Sequence, residues 1–246
     1  MQVEFAEVTL LGARDENQDR VAVAVNPEVA LIAAFDGMGG HADGAKAAET
    51  ARQVLLGRIA SATRQPLLDP LAFLHLVLGQ AHAQVVALGT KLPLEQRPRA
   101  TGAICLAQEG TAWWAHVGDS RVYHLRAGQV LTRTRDHSHV ELLLQEGLIS
   151  ADQAQNHPMR NYVESCLGGD ALLPEMVIGR CVRVQPGDTL LVCTDGFWAN
   201  LRDEDIAASL YSGVSLHDAL YAIADFAVRN AGGASDNTSA AALRIL

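Results

Sequence analysis

LIAAFDG, residues 31–37, is an unbroken apolar run that ends in an aspartate beside a glycine. The run begins at residue 29 and reads as a core strand, which puts Asp36 where a rigid scaffold meets solvent. The same wording returns in WWAHVGD at 113–119 and LLVCTDG at 190–196, and a fourth acidic turn, Ser235-Asp236-Asn237, precedes the terminal apolar run SAAALRIL. A glycine beside such an aspartate removes a Cβ and would let a cation, water or phosphate approach the backbone. One such turn is an ordinary loop. Several in one chain suggest carboxylates gathered around hard divalent cations, so the chain reads as a metalloenzyme.

Outward from 31–37, strand patterns cover 3–11 and 20–25. Two helices follow: 42–62, with Ala48, Ala51, Leu55 and Ile59 on one face, and 70–89, with Leu71, Leu74, Leu78, Ala81, Val85 and Leu88. Strands return at 101–108, 111–117, 120–125 and 128–132, separated by Glu109-Gly110 and Ala127-Gly128 turns. Trp113 and Trp114 must face opposite sides, one of them into the core. Residues 137–160 read as short helices and loops, in which His137 and His139 are candidate caps. Strands at 176–184 and 188–194 flank Pro186-Gly187-Asp188, a helix at 215–230 opens on Ser215 with Asp218 three residues on, and 238–245 is the last strand. Strands joined by short turns, with helices inserted in blocks, predict an α+β fold of antiparallel sheets with helices packed outside. The alternation of a parallel sheet is missing.

The chain has 246 residues, 49% of them hydrophobic, and no stretch that reads as a linker, so one domain over 1–246 is expected. A net charge of −9 and the lack of a basic stripe argue against a nucleic-acid partner. The N-terminus lacks the basic start and apolar core of a signal peptide. No apolar stretch is read as approaching the roughly 18–20 residues that span a bilayer, so no membrane insertion is expected. Cys105, Cys166, Cys181 and Cys193 have no CxxC or zinc spacing. A cytoplasmic location is the natural expectation.

Taken in order, Arg14-Asp-Glu-Asn-Gln-Asp19, Asp36-Gly-Met-Gly-Gly-His41, Thr101-Gly102, Gly118-Asp-Ser-Arg121, Asp136-His-Ser138, Arg160-Asn161 with Leu167-Gly168, Pro186-Gly-Asp188, Thr194-Asp-Gly196 and Ser235-Asp-Asn237 resemble the metal-dependent protein phosphatases. This is the PPM or type 2C family, in its compact bacterial form. Any one motif is weak, but the ordered set spans nearly the whole chain. The resemblance implies a four-layer αββα sandwich, two central antiparallel sheets flanked by helices, with a flap over about 137–170 beside the active site.

It also implies a chemistry: hydrolysis of phosphoserine and phosphothreonine by a water or hydroxide bridging two Mn²⁺ or Mg²⁺ ions, with no phosphoenzyme. By position, Asp36 would bridge the ions, Asp195 and Asp236 would complete the first site, and the Gly37 carbonyl would serve the second. Asp19 would hold metal-bound water, Asp119 with Asp195 would form a third, weaker metal position, and Arg14 would fork onto the phosphate. Two positions depart from common family usage. Gln18 stands where many relatives have glutamate. Met38 stands where many eukaryotic relatives have a histidine acid, and methionine donates no proton, so no general acid is assigned; His41 is a minor candidate.

Each aspartate also has a plain reading as a turn or cap residue, and Gly118-Asp-Ser-Arg121 could be a tight turn with Arg121 in a buried ion pair. Two other classes stay open: a catalytically silent phosphoprotein-binding module that keeps the fold, and a Ca²⁺-binding structural protein, which would need the concentrated loop of ligands that this chain lacks. The partners implied are phosphorylated substrates of a serine/threonine kinase. Asp195-Gly-Phe-Trp198 further resembles phosphatases that work with kinases and FHA proteins of type VI secretion.

Overall fold

The structure is a computed structural model describing residues 1–38, 43–62, 66–155 and 157–246. His41 lies outside the described residues. In chain order the elements are β1 (Val3–Leu10), β2 (Asp19–Val25), β3 (Val29–Met38), α1 (Asp43–Ala62), α2 (Pro70–Leu88), β4 (Arg99–Ala100), β5 (Gly102–Gln108), β6 (Thr111–Val117), β7 (Arg121–Arg126), β8 (Gln129–Arg133), α3 (His139–Gln145), α4 (Ala151–Gln155), β9 (Leu167–Gly168), β10 (Val177–Arg183), β11 (Thr189–Cys193), α5 (Asp195–Trp198), α6 (Asp203–Leu210), α7 (Leu216–Ala231) and β12 (Thr238–Ile245).

All the strand pairs are antiparallel. One sheet runs β1-β12-β11-β7-β8; the larger runs β10-β6-β5-β3-β4-β9, with β2 also on β3. The apolar run of β3 has no polar face because both its faces are buried. Leu31, Ala33 and Phe35 pack with Leu55, Leu74 and Leu78 of α1 and α2, while Ala30, Ile32 and Ala34 meet Val122, Leu190, Val192 and Leu243 of the other sheet. The outer face of that second sheet, with Leu125, Leu191 and Ala242, packs on Ile206, Leu210, Leu220 and Ile223 of α6 and α7. Three cores therefore separate four layers: helices, sheet, sheet, helices. Trp114 enters the inter-sheet core and Trp113 packs on the opposite, helix side, as their alternation requires.

Some expectations are corrected. Leu71 and Leu88 of α2 are exposed, because they sit on its first and last turns; Leu74, Val77, Leu78, Ala81 and Val85 carry the contact. At 19 residues, α2 is also long and apolar enough by composition to cross a membrane, contrary to the sequence reading. Its buried stripe belongs to the sandwich core. Ser138, rather than His137 or His139, caps α3, accepting from the Glu141 amide at 3.3 Å. Ser215 caps α7 as expected. Asp188, in the expected Pro186-Gly187-Asp188 turn, is fully buried and takes two bonds from Arg126, at 2.6 and 2.8 Å.

Candidate metal and phosphate site

Antiparallel pairing sets Asp19, the first residue of β2, directly opposite Asp36 near the end of β3. Asp19 continues the alternation of Val21 and Val23, and Asp36 that of Ile32 and Ala34, all four of which belong to the inter-sheet core. By strand periodicity both carboxylates therefore close one end of that core. Asp195 follows β11 of the opposing sheet, Asp236 precedes β12, and Asp119 lies in the turn that carries the chain from β6 in one sheet to β7 in the other. Two sheets meeting face to face thus bring together four aspartates from strand ends and one from the crossover.

The backbone around them is tightly specified. Thr101 donates its amide to the Asp36 carbonyl at 2.8 Å and accepts the Asp36 amide on its hydroxyl at 3.2 Å; that hydroxyl also pairs with Ser120 at 2.6 Å. Thr194 donates its hydroxyl to Asp19 Oδ2 at 2.8 Å, joining β11 to β2 across the cleft. The glycines play a different part from the one expected. A Cβ on Gly37 would stand 2.1 Å from the Gly44 carbonyl oxygen, and one on Gly196 would stand 2.1 Å from that of Asn237. Backbone, rather than ligand, occupies the space those glycines leave, and this close approach draws the acidic segments together.

Burial and mutual repulsion act on the cluster. Burial pushes Asp19 up to about 7, with Asp195 and Asp236 adding repulsion and Thr194 partly offsetting it. Burial, then the charge of Asp236, raises Asp195 to about 6. Asp36 and Asp119 are held well above the usual carboxylate range, first by burial and then by Asp195. Asp119 Oδ1 is buried with no hydrogen-bond partner. Carboxylates removed from water and facing one another resist ionisation unless cations compensate. An all-oxygen set of this kind suits Mg²⁺ or Mn²⁺.

Arg14 supplies positive charge at the rim, donating Nη2 to Asp236 Oδ2 at 2.7 Å, while Asp236 Oδ1 accepts the Asn237 amide at 2.8 Å. Both oxygens of Asp236 are therefore engaged. Consistent with that, no three His, Cys, Asp or Glu side chains among the described residues converge as a ready ligand set. The acidic groups share one electrostatic neighbourhood, with Arg14 and Asp236 paired at its rim.

Several residues named in the motifs support the Asp119 turn through contacts that sequence reasoning did not assign, the ion pair of Arg121 excepted. Trp198 Nε1 donates to the Asp119 carbonyl at 3.0 Å, and the Arg121 guanidinium stacks 3.3 Å above the Trp198 ring. Arg121 also forks onto Asp136 with two bonds of 2.8 Å, the buried pair anticipated for the Gly118–Arg121 turn. His137 accepts the Gly118 amide on Nδ1 at 3.3 Å and stacks on His116 at 4.7 Å. Beside this support lies a cavity of about 1180 Å³ lined by Met38, His116, His137, Tyr162 and Leu172, with none of the five aspartates in its wall. It neighbours the acidic cluster without covering it.

Residues 12–225 match the family model described as Protein phosphatase 2C. Among curated proteins, the chain is 29% identical over 242 residues to the serine/threonine protein phosphatase PstP of Mycobacterium tuberculosis, covering 96% of this chain and 45% of that one. The chain thus spans about half the length of that relative. It is 30% identical to protein phosphatase PhpP of Streptococcus pneumoniae, covering 97% and 96% of the two chains. Among solved structures it resembles the Streptococcus agalactiae serine/threonine phosphatase, with TM-score 0.87, 26% identity and both chains fully covered. The PstP catalytic domain in complex with 2 manganese ions gives TM-score 0.79 and 26% identity over 98% and 97% of the chains. PppA, titled a key regulatory component of T6SS in Pseudomonas aeruginosa, gives 0.77 and 26% over 100% and 99%.

Proposed function

The chain belongs to the protein phosphatase 2C family, and we propose that it is a metal-dependent protein phosphatase acting on phosphoserine and phosphothreonine. The observation that carries this reading is the gathering of Asp19, Asp36, Asp119 and Asp195 in one desolvated, mutually repelling neighbourhood, with the ion pair of Arg14 and Asp236 at its rim. Asp36 would bridge two Mn²⁺ or Mg²⁺ ions, Asp195 and Asp236 would complete one site, and the Gly37 carbonyl would face the other. Asp19 would orient water from behind, and Asp119 with Asp195 would hold a third ion. Divalent cations bound there would supply a water activated for in-line attack on phosphorus, without a phosphoenzyme.

The protein's own groups do the remaining work. Arg14 is exposed and presents a planar fork that matches a phosphate edge, giving an acidic protein local positive charge for a dianionic substrate. Met38 lines the neighbouring cavity and has no proton to give, so no side chain is assigned to protonate the leaving alkoxide. We read 1–246 as one catalytic domain with a flap at about 137–170, acting in the cytoplasm against a serine/threonine kinase. The Asp195-Gly-Phe-Trp198 wording together with the likeness to PppA supports an FHA protein of type VI secretion as a substrate.

The test is phosphate release from a phosphothreonine peptide and from p-nitrophenyl phosphate, with bound metal counted alongside. Turnover should require Mn²⁺ or Mg²⁺, disappear in EDTA, and be abolished in Asp36→Asn and Asp195→Asn. Substantial metal-free turnover would overturn the mechanism.

A further inference from the structure

Arg14 sits in the connection between β1 and β2, which passes from one sheet to the other across the end of the inter-sheet core. A guanidinium on an untethered loop would lose its geometric advantage, because ordering it costs conformational entropy each time substrate binds. Here the loop is tied down from a distance. Asn237 is only 6% exposed. Its Oδ1 accepts the Gln18 amide at 2.8 Å, and its Nδ2 donates to the Leu11 carbonyl at 2.9 Å and the Glu16 carbonyl at 3.0 Å. An asparagine side chain offers two N–H donors and one carbonyl acceptor, and this one commits all of them to the segment around Arg14.

Neighbouring backbone reinforces the same clasp. The Ala13 amide donates to the Ser235 carbonyl at 3.1 Å. Gly12 has φ +64°, and a Cβ there would stand 2.2 Å from the Asp236 carbonyl oxygen, so only glycine lets the loop lie this close. The far end of the loop is fixed to β3, since the Gly37 amide donates to the Gln18 carbonyl at 3.2 Å.

We propose that Asn237 is a positioning residue for substrate binding: its carboxamide clasps the 11–18 loop and so sets the Arg14 guanidinium over the cluster. The proposal rests on the reading of Arg14 as the phosphate-binding group. It assigns a role to the residue beside a metal-ligand candidate that is separate from metal binding.

The experiment measures KM and kcat with a phosphothreonine peptide at saturating Mn²⁺ for the wild type, Arg14→Ala, Asn237→Ala and the double variant. Amide hydrogen exchange over residues 13–18 is followed in parallel. Asn237→Ala should raise KM by about tenfold with a smaller change in kcat, as expected for a misplaced binding group. The double variant should have the KM of Arg14→Ala alone, and the Gln18 amide should exchange faster. Leu220→Ala, a core truncation on α7, controls for general destabilisation and should leave the KM and the 13–18 exchange unchanged. Should Asn237→Ala not fold, Asn237→Ser, which keeps one donor, is read in the same way. If Arg14→Ala raises KM but Asn237→Ala does not, or multiplies it further in the double variant, the positioning role is overturned. If Arg14→Ala leaves KM unchanged, the phosphate reading falls and the positioning role with it; faster exchange in Asn237→Ala would then mark the arginine's function, and not the clasp, as the error.

Discussion

Asp19 and Asp36 are direct cross-strand partners on β2 and β3, two acidic residues placed where an antiparallel pair brings side chains nearest. Like charges so placed destabilise a sheet, and both lie at the end of a desolvated core. Removing one charge should therefore stabilise the protein in the absence of divalent ions. Asp36→Asn is expected to raise Tm in EDTA by about 2–4 °C, the shift that roughly 1 kcal/mol gives a chain of this size, while abolishing turnover. A fall in Tm like that of a core truncation would show that the carboxylate is needed for folding itself.

The raised carboxylates also fix a pH dependence. An unfolded aspartate titrates near 3.8, whereas Asp195 and Asp19 in the fold are pushed up to about 6 and about 7. Between those limits the folded chain holds more protons than the unfolded one, so this contribution to stability is lost as pH rises through the window. In EDTA, Tm should be higher near about pH 5 than near about pH 7.5, and added Mn²⁺ should raise Tm more at the higher pH. Thermal melts at the two pH values, with and without metal, give the answer; a Tm in EDTA that climbs across the window would contradict it.

On the proposed assignment of Asp236 as a metal ligand, a cation would compete with Arg14, whose guanidinium holds Asp236 Oδ2 at 2.7 Å. Arg14→Ala frees that oxygen and removes a nearby positive charge. Mn²⁺ affinity should therefore rise, by up to about fivefold if the exposed pair is worth up to about 1 kcal/mol, while KM for phosphopeptide worsens. Calorimetric titration of Mn²⁺ checks the first arm and steady-state kinetics the second. Weaker Mn²⁺ binding would mean the arginine supports the metal site instead of competing with it.

The Asp119 turn rests on a buried stack of Trp198, Arg121 and Asp136. Asp136→Asn leaves the buried Arg121 with only its longer pair to Asp203, at 3.9 Å, so the loss should reach at most the roughly 3–5 kcal/mol of a broken buried pair. Urea denaturation measures that loss. Trp198→Phe keeps a smaller aromatic face for Arg121 but removes the donor to the Asp119 carbonyl, and should cost at least about 1 kcal/mol. Equal losses for the two variants would argue that the ion pair adds nothing beyond packing.

Much of the layer order could be read from the chain because hydrophobic periodicity is a local property. The apolar run into Asp36, its counterpart at 188–194 and the helix starting at Ser215 all form as their patterns require. The short pieces escaped: β4 and β9 are two residues each and exist only by pairing with one another and with β3. The helices α5 and α6 follow the Asp195 turn with too little sequence to announce them. The glycines were visible, but the part they play was not, since the backbone that fills the space beside Gly37 and Gly196 comes from elsewhere in the chain.

The sequence alone determined which carboxylates stand at strand ends, since an apolar run and the aspartate that bounds it are both local patterns; their burial came only with the docking of the sheets. Tertiary structure decided that Asp19 faces Asp36, that Arg14 leans on Asp236, and that Asn237 reaches 219 residues back to hold the Gln18 amide. Register and long-range hydrogen bonds depend on how two sheets dock, and no local pattern of side chains encodes that.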